Sequence, residues 1–262
     1  MLGAAAGLLA LRDVGEPPRQ PLPSSPTPTP TLVPGLPANV AVSQFNLWSE
    51  NPSWRDDLRT LVRRHQPDLI GLSETYDKSA STLAPAGYRA WLPVEPRHAQ
   101  DTAVLWRDDW TLLASGSAHM SAEPDLRFPS WRLRRANWAT LRTHTGAVVS
   151  VIAVHPNPVG IDLHEYLRNL GGLVARLSAR GPVFVPGDFN VRYEGDGYPV
   201  RWVSAAGLMN PYDTLGAPVG GTGRHGGTID WVLASASLTA VRLRTLSDLG
   251  SDHVAVTVEF AP

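Results

Sequence analysis

Residues 182–190 read PVFVPGDFN, and the reading of that stretch decides the fold. Val183, Phe184 and Val185 form a short β-prone apolar run, and Asp188 and Asn190 stop it. The same design recurs along the chain. VAVSQFN (40–46) ends in Asn46, DLIGLSE (68–74) in Glu74 and VVSVIAVH (148–155) in His155. Asp230 sits inside TIDWVLAS (228–235), and Asp252 with His253 opens the last run, HVAVTVEF (253–260). TAVLWR (102–107) and NWATLRT (137–143) complete the set. Helical patterns separate some of these runs. Ser53 with Asp56 fits a capping box ahead of Trp54, Leu58, Leu61 and Val62 on one face. A second helix is expected from about Asp162 to Ser178, with Leu163, Leu167, Leu170, Val174 and Leu177 in register. Many strands and few helices predict an α/β fold. The expected form is a four-layer α/β sandwich, two mostly antiparallel sheets packed face to face and flanked by helices.

The 262 residues carry 43% apolar and 18% charged side chains, enough apolar surface to exclude wholesale disorder. No apolar run reaches the ~18 residues of a membrane span. The absence of Cys excludes a disulfide framework, a thiolate zinc site and a Cys nucleophile. A formal net charge of −1 lacks the broad positive field of a strong duplex binder. The basic side chains are nearly all Arg; Lys78 is the single lysine.

Composition breaks near the N-terminus. Residues 17–37 hold nine of the 24 prolines and are expected to be an extended linker, because Pro fixes φ and donates no N–H. Before it, residues 1–16 begin with MLGAAAGLLALR, an apolar segment too short to span. It is expected to be the remnant of an export signal or membrane anchor. Residues 38–262 are expected to form one domain. A secreted or membrane-tethered location follows from that arrangement, with the cytoplasm as the alternative, and the protein is expected to be a monomer.

A carboxylate at the end of a buried strand is costly unless it is paired, hydrogen-bonded or metal-bound. Each one alone fits a turn or a cap, and GD in PGDFN suits an ordinary turn. Four acids, with an amide and imidazoles, at so many strand ends fit convergence on one pole of a sandwich better.

These residues carry a resemblance. FN at 45–46, the Glu of LSET at 74, GDFN at 187–190, IDW at 229–231 and SDH at 251–253 fall in order across nearly the whole domain. The set resembles the endonuclease/exonuclease/phosphatase superfamily of metal-dependent phosphoesterases, which includes pancreatic deoxyribonuclease, exonuclease III and bacterial sphingomyelinase. The resemblance implies that Glu74 binds Mg²⁺, with Asn46 and Asp252 near it and Mn²⁺ as a substitute; Mg²⁺ prefers hard oxygen ligands. It implies that Asp188 orients or deprotonates the attacking water and that Asn190 holds that water or a phosphate oxygen. His253 would donate to the phosphate, oriented by Asp230; such a carboxylate sets the imidazole tautomer and favours the charged ring.

His155, in VHPNP, matches a second active-site His of the deoxyribonuclease and sphingomyelinase branches, where relatives of exonuclease III carry Tyr. Asn157 is placed near a phosphate oxygen. Trp48 stands where the abasic-site branch has a further acid, which points away from that branch and from a second metal. GTGRHG at 221–226 fits a dinucleotide-binding pattern by letters, but a strand follows where a helix is required. It reads as a flexible, solvated loop beside the site, with Arg224 and His225 as candidate substrate contacts. Arg132, Arg134 and Arg135 read as a solvated edge, and His164 and Glu165 as facing water.

The expected function is hydrolysis of a P–O bond by in-line attack of a metal-assisted water on a phospholipid-like, lipid-linked or small phosphoester, with a membrane surface as a possible partner. The alternatives are an extracellular nuclease acting on DNA and a non-catalytic surface binding module on the same fold.

Overall fold

The computed structural model describes residues 34–94, 97–121, 134–158 and 163–262, with the side chains of 97 and 98 excepted. Residues 1–16, most of the linker, Arg132 and Asp162 lie outside that range. Among the described residues twelve strands follow one another along the chain. The first six are β1 (Val40–Asn46), β2 (Leu69–Ser73), β3 (Tyr88–Trp91), β4 (Thr102–Arg107), β5 (Thr111–His119) and β6 (Arg135–Arg142). The others are β7 (Val148–Ala153), β8 (Val183–Asp188), β9 (Leu208–Met209), β10 (Asp230–Ser235), β11 (Thr239–Leu246) and β12 (Ala255–Ala261). They form two six-stranded sheets, ordered β11-β12-β1-β2-β4-β3 and β5-β6-β7-β8-β10-β9. Each sheet has one parallel pair, β1 with β2 and β7 with β8, and is otherwise antiparallel. The α/β sandwich expected from the sequence is the fold observed.

Side-chain alternation along the strands explains where the site lies. On β8, Phe184 meets Phe260 of the facing sheet at 5.5 Å between ring centroids, and Asp188 continues that inner face. On β1, Val40 and Val42 enter the central core, whereas Phe45 belongs to a second cluster on the outer side. The inner faces are therefore apolar at one end and polar at the other, where Gln44, Asn46, Ser73, Asp188 and Asp230 are all buried. Gly71 lets the sheets approach closely below that pole: a Cβ there would lie 2.5 Å from the Pro186 ring.

Helices cover the outer faces. The first, α1 (Trp54–His65), buries Leu58 and Leu61 against Phe45, Ile70 and Leu72. A short α2 (Ala80–Leu83) follows β2. The long α3 (Leu163–Ser178) buries Tyr166, Leu167, Leu170, Leu173, Val174 and Leu177. Among the described residues no helix is long and apolar enough to cross a membrane.

Three local readings need correction. The capping box at Ser53 does not form, and the Ser53 side chain makes no cap bond. Asn51 turns the chain instead: its Oδ1 accepts from Ser53 N at 2.8 Å, and its Nδ2 donates to Asp57 at 2.7 Å. The last strand begins at Ala255, so Asp252 and His253 stand on the loop before it. GTGRHG is no free loop. Thr222 is buried, its backbone N bonds Gly227 O, and its Oγ1 accepts from Ile229 N and Asp230 N, each at 3.0 Å.

Candidate active site

Register brings the polar strand ends together. Asn46 pairs with Ser73 across β1 and β2, which places it beside Glu74. Asp188 is directly opposite Asp230, and Val154, just before His155, bridges to Gly187. Asn46 is the hub: its Nδ2 donates to Glu74 Oε1 and to Asp188 Oδ2, both at 3.0 Å. Its Oδ1 accepts from Trp48 N at 2.9 Å. Ser49 N donates to the other Glu74 oxygen at 2.9 Å. Glu74, Trp48 and Asn190 all hold left-handed backbone, with φ of 58°, 54° and 54°. Such φ values are uncommon outside Gly, and here they turn three chain ends around one pocket.

Two imidazoles face Asp188. His253 Nε2 and His155 Nε2 each lie 3.7 Å from its Oδ2. Behind each ring a buried carboxylate holds Nδ1: Asp230 Oδ2 is 2.8 Å from His253, and Asp101 Oδ2 is 3.0 Å from His155. Burial lowers the affinity of His253 for its proton, but Asp230, Asp188 and Asp252 overcome it and raise the ring's pKa to about 10. His155 is likewise raised: burial and Arg134 oppose the charge, and Asp101 with Asp188 outweighs them. Burial first, and then the Asp230 charge, push Asp188 upward. Glu74 is held below the usual range: burial raises it, and the positive His155 with hydrogen bonds from Ser49 and Asn46 more than reverses that.

The Asp101 arm was not legible in the sequence. Asp101 closes a 3₁₀ turn (Arg97–Asp101) and is 3% exposed. Arg134 pairs with it, and Tyr76 hydrogen-bonds it. The Arg134 charge, with His155, holds Asp101 far below the usual carboxylate range despite burial. Arg134 also donates through Nε to Asn157 Oδ1 at 2.6 Å, so Asn157 is tied into this network. The solvated-edge reading of Arg134 is therefore wrong, because a guanidinium beside a buried carboxylate is drawn inside. Arg135 keeps partial exposure and bonds Ser117 and His119 across β5. Tyr166, on the apolar face of α3, accepts from His155 N at 3.2 Å.

The remaining expected residues fall into place variously. Asn190 receives support from both sides: its backbone N donates to Asp188 Oδ1 at 2.9 Å, and its Nδ2 donates to Pro156 O at 3.1 Å. The loop carrying Asp252 is pinned by Ser251 Oγ to Asn46 O at 2.7 Å and by Gly250 N to Asp57 Oδ2 at 3.0 Å. Asp252 Oδ1 is buried without a hydrogen-bond partner and lies 4.0 Å from His253 Nε2. Arg224 and His225 are exposed on their loop. His164 is exposed and Glu165 half-exposed, as expected.

The donor set suits a hard divalent cation. Asp188, Asp230 and His253 each bring a potential ligand atom within 4.8 Å of the others. Asp230 is already committed to His253 and to Gln44 Nε2 at 3.4 Å, which makes it an orienting group first. Glu74 and the orphaned Asp252 oxygen are oxygen donors of the kind Mg²⁺ takes, whereas Asn46 turns its nitrogen toward Glu74 and its oxygen toward Trp48 N. An amide nitrogen wedged between two carboxylates marks a place where positive charge is called for.

The model of the endonuclease/exonuclease/phosphatase family matches residues 43–253. Among solved structures, a family protein from Bacteroides thetaiotaomicron superposes with a TM-score of 0.71 at 22% identity, covering 86% of this chain and 98% of that one. The human Nocturnin catalytic domain, solved with a bound sulfate anion, gives 0.64 at 19% identity, covering 86% of this chain and 93% of that one. ANGEL2, a 2′,3′-cyclic phosphatase in complex with adenosine-2′,3′-vanadate, gives 0.66 at 14%, covering 85% and 95%. At these identities the likeness is one of fold. No curated protein matches the chain.

Proposed function

The chain belongs to the endonuclease/exonuclease/phosphatase family, whose members are phosphoric ester hydrolases, and from that premise we propose a Mg²⁺-dependent phosphoesterase acting on a phospholipid-like, lipid-linked or small phosphoester. One observation carries the reading: two His–Asp pairs present Nε2 to the same Asp188 oxygen, and Asn46 joins that oxygen to Glu74.

Glu74 and Asp252 would hold the cation, with Asn46 beside Glu74. When bound, Mg²⁺ supplies electrophilic stabilisation of the phosphoryl oxygens. Asp188 orients a water and accepts its proton; a raised carboxylate pKa makes it a better base. His253, protonated at neutral pH, donates from Nε2 to a phosphoryl oxygen as negative charge builds there. Asp230 and Asp101 accept from Nδ1–H and stabilise the charged rings, whose second proton sits on Nε2 and faces the pocket. Asn190 holds the water or a non-bridging oxygen.

Near-neutral charge supports a lipid-linked or small substrate over duplex DNA. The Pro-rich segment at 17–37 supports an exported or membrane-tethered location. The test is metal-dependent turnover, at near-physiological salt, of phospholipids, lipid pyrophosphates, aryl phosphodiesters and plasmid DNA, with Glu74→Gln alongside. Loss of turnover in Glu74→Gln with the fold retained is expected, because one charged oxygen ligand is removed. Efficient plasmid nicking with the other substrates untouched would replace this reading by the nuclease. Wild-type turnover in Glu74→Gln would remove the metal assignment.

A further inference from the structure

Beside Glu74 lies a groove of about 420 Å³ that the proposed chemistry does not use, lined by Ser49, Trp54, Arg55, Tyr76, Asp77 and Lys78 among others. It abuts the catalytic pocket through shared residues. Ser49 lines it while donating its backbone N–H to Glu74 Oε2 at 2.9 Å, and Tyr76 lines it while hydrogen-bonding Asp101. Its floor is built around Trp54. The Arg55 guanidinium lies 4.7 Å from the centroid of that indole, and the Lys78 ammonium lies 5.3 Å from it.

Two cations gathered on one ring repel each other, and the ring's attraction offsets only part of that cost. The usual remedy is a carboxylate partner. Among the described residues neither cation has one within ion-pair distance. The single lysine of the chain donates instead to two backbone carbonyls, Glu74 O at 3.3 Å and Tyr76 O at 3.5 Å. Asp77, the carboxylate of the lining, is itself partnered. Lys78 is half-buried, so an entering anion meets an ammonium short of solvent.

We propose that this groove is a second anion subsite, in which Arg55 and Lys78 hold a phosphoryl group that the substrate carries beside the one being hydrolysed. The proposal rests on the phosphoesterase reading and narrows it to substrates with two phosphoryl groups, as in diphosphates or bisphosphates. Arg suits a phosphoryl oxygen pair through its fork of donors, and Lys contributes a point charge.

The experiment has a binding arm and a turnover arm. In the first, inorganic phosphate and pyrophosphate are titrated calorimetrically into the full chain in chelator, so that metal-bound anion does not mask the groove. Pyrophosphate should bind more tightly than phosphate. Arg55→Gln should weaken it several-fold, Arg55→Gln with Lys78→Gln at least tenfold, and Lys78→Arg little. In the second arm, thymidine 5′-(p-nitrophenyl phosphate) is compared with its 3′-phosphorylated analogue in Mg²⁺. The wild type should prefer the analogue, and the double variant should lose at least tenfold of that preference, chiefly through KM. Arg55 is exposed, so its single variant keeps the binding arm readable if the double variant fails to fold. Pyrophosphate binding that is absent, or unchanged in the variants, overturns the subsite. A wild type that binds pyrophosphate in the groove yet turns over neither these esters nor any phosphoester of the panel above would overturn the phosphoesterase reading and leave the anion site standing.

Discussion

Asp101 Oδ2 lies 3.0 Å from His155 Nδ1, and this contact joins a 3₁₀ turn to the end of β7. It matches the pair that Asp230 makes with His253 at 2.8 Å, so Asp188 stands between two imidazoles of fixed tautomer. The symmetry is functional rather than structural, since one acid precedes its strand and the other begins one.

Asp101→Asn is expected to lower kcat by about 10- to 100-fold with a smaller change in KM, because a neutral amide no longer stabilises the charged ring. The isosteric change keeps one acceptor oxygen. Combined with His155→Ala it should cost no more than His155→Ala alone. Steady-state rates for the two single variants and the double variant decide it; losses that multiply would show Asp101 acting elsewhere, through Arg134.

His253→Ala should remove a transition-state donor and cost kcat about 10²–10⁴-fold, the usual worth of a placed proton donor. Asp230→Asn should act through the same ring and cost less. A double-mutant cycle should therefore give a strongly non-additive result. Additive losses would mean that Asp230, which also meets Gln44 at 3.4 Å, serves the pocket independently of His253.

What the sequence revealed of this site follows a physical rule. An acid, amide or His that stops an apolar run stands out, because its burial is costly and therefore explained by function. Asn46, Glu74, His155 and Asp188 share that signature, Asp230 and His253 were singled out by the resemblance of IDW and SDH, and the structure gathers all six at one pole. Asp101 precedes a run, TAVLWR, instead of ending one, and at that position an acid reads as an ordinary turn residue. Arg134 sits among other arginines, where a solvated edge is the natural reading; only the fold reveals its buried partner. Tyr166 repeats the apolar helical spacing, so its hydroxyl is invisible as a hydrogen-bond acceptor for His155. The same applies to the edge strands β3, β5, β9 and β11, which lack long apolar runs because they are covered on fewer sides. Thr222 carried no sequence signal at all, since its role arises from loop closure.

The linker reaches the domain before its expected end. Gly35 O accepts from Ala147 N at 3.3 Å and from Thr143 Oγ1 at 3.4 Å, and Leu36 packs on the core. Residues 1–37 should still be dispensable for catalysis, because these contacts lie on the β6–β7 turn and away from Asp188. A chain starting at Pro34 should melt like the full chain. One starting at Ala38 should lose about 1–2 kcal/mol with the Leu36 burial and melt roughly 2–6 °C lower. Scanning calorimetry of the three lengths, with turnover measured on each, checks both halves. A large fall in kcat at Ala38 would show that the segment supports the site.

The last expectation concerns acid stability and a histidine outside the site. His65, at the end of α1, is 8% exposed, and its Nδ1 lies 2.7 Å from Thr257 Oγ1, which in turn meets Ser43 Oγ at 2.7 Å. Burial lowers its pKa to about 4, helped by the charges of Arg244, Arg64 and Arg242. The unfolded chain, with an ordinary value near 6.5, binds a proton that the native state refuses over the window from about 6.5 down to about 4. Native stability should therefore be fully present above that window and fall by about 2 kcal/mol as pH drops through it. In His65→Gln, which keeps a polar group toward Thr257 and cannot titrate, that part of the slope should vanish. The variant should be less stable than wild type at pH 7.5, and the gap should narrow at pH 4.5. Urea unfolding at both pH values measures it, and parallel losses in the two proteins would show that His65 titrates normally.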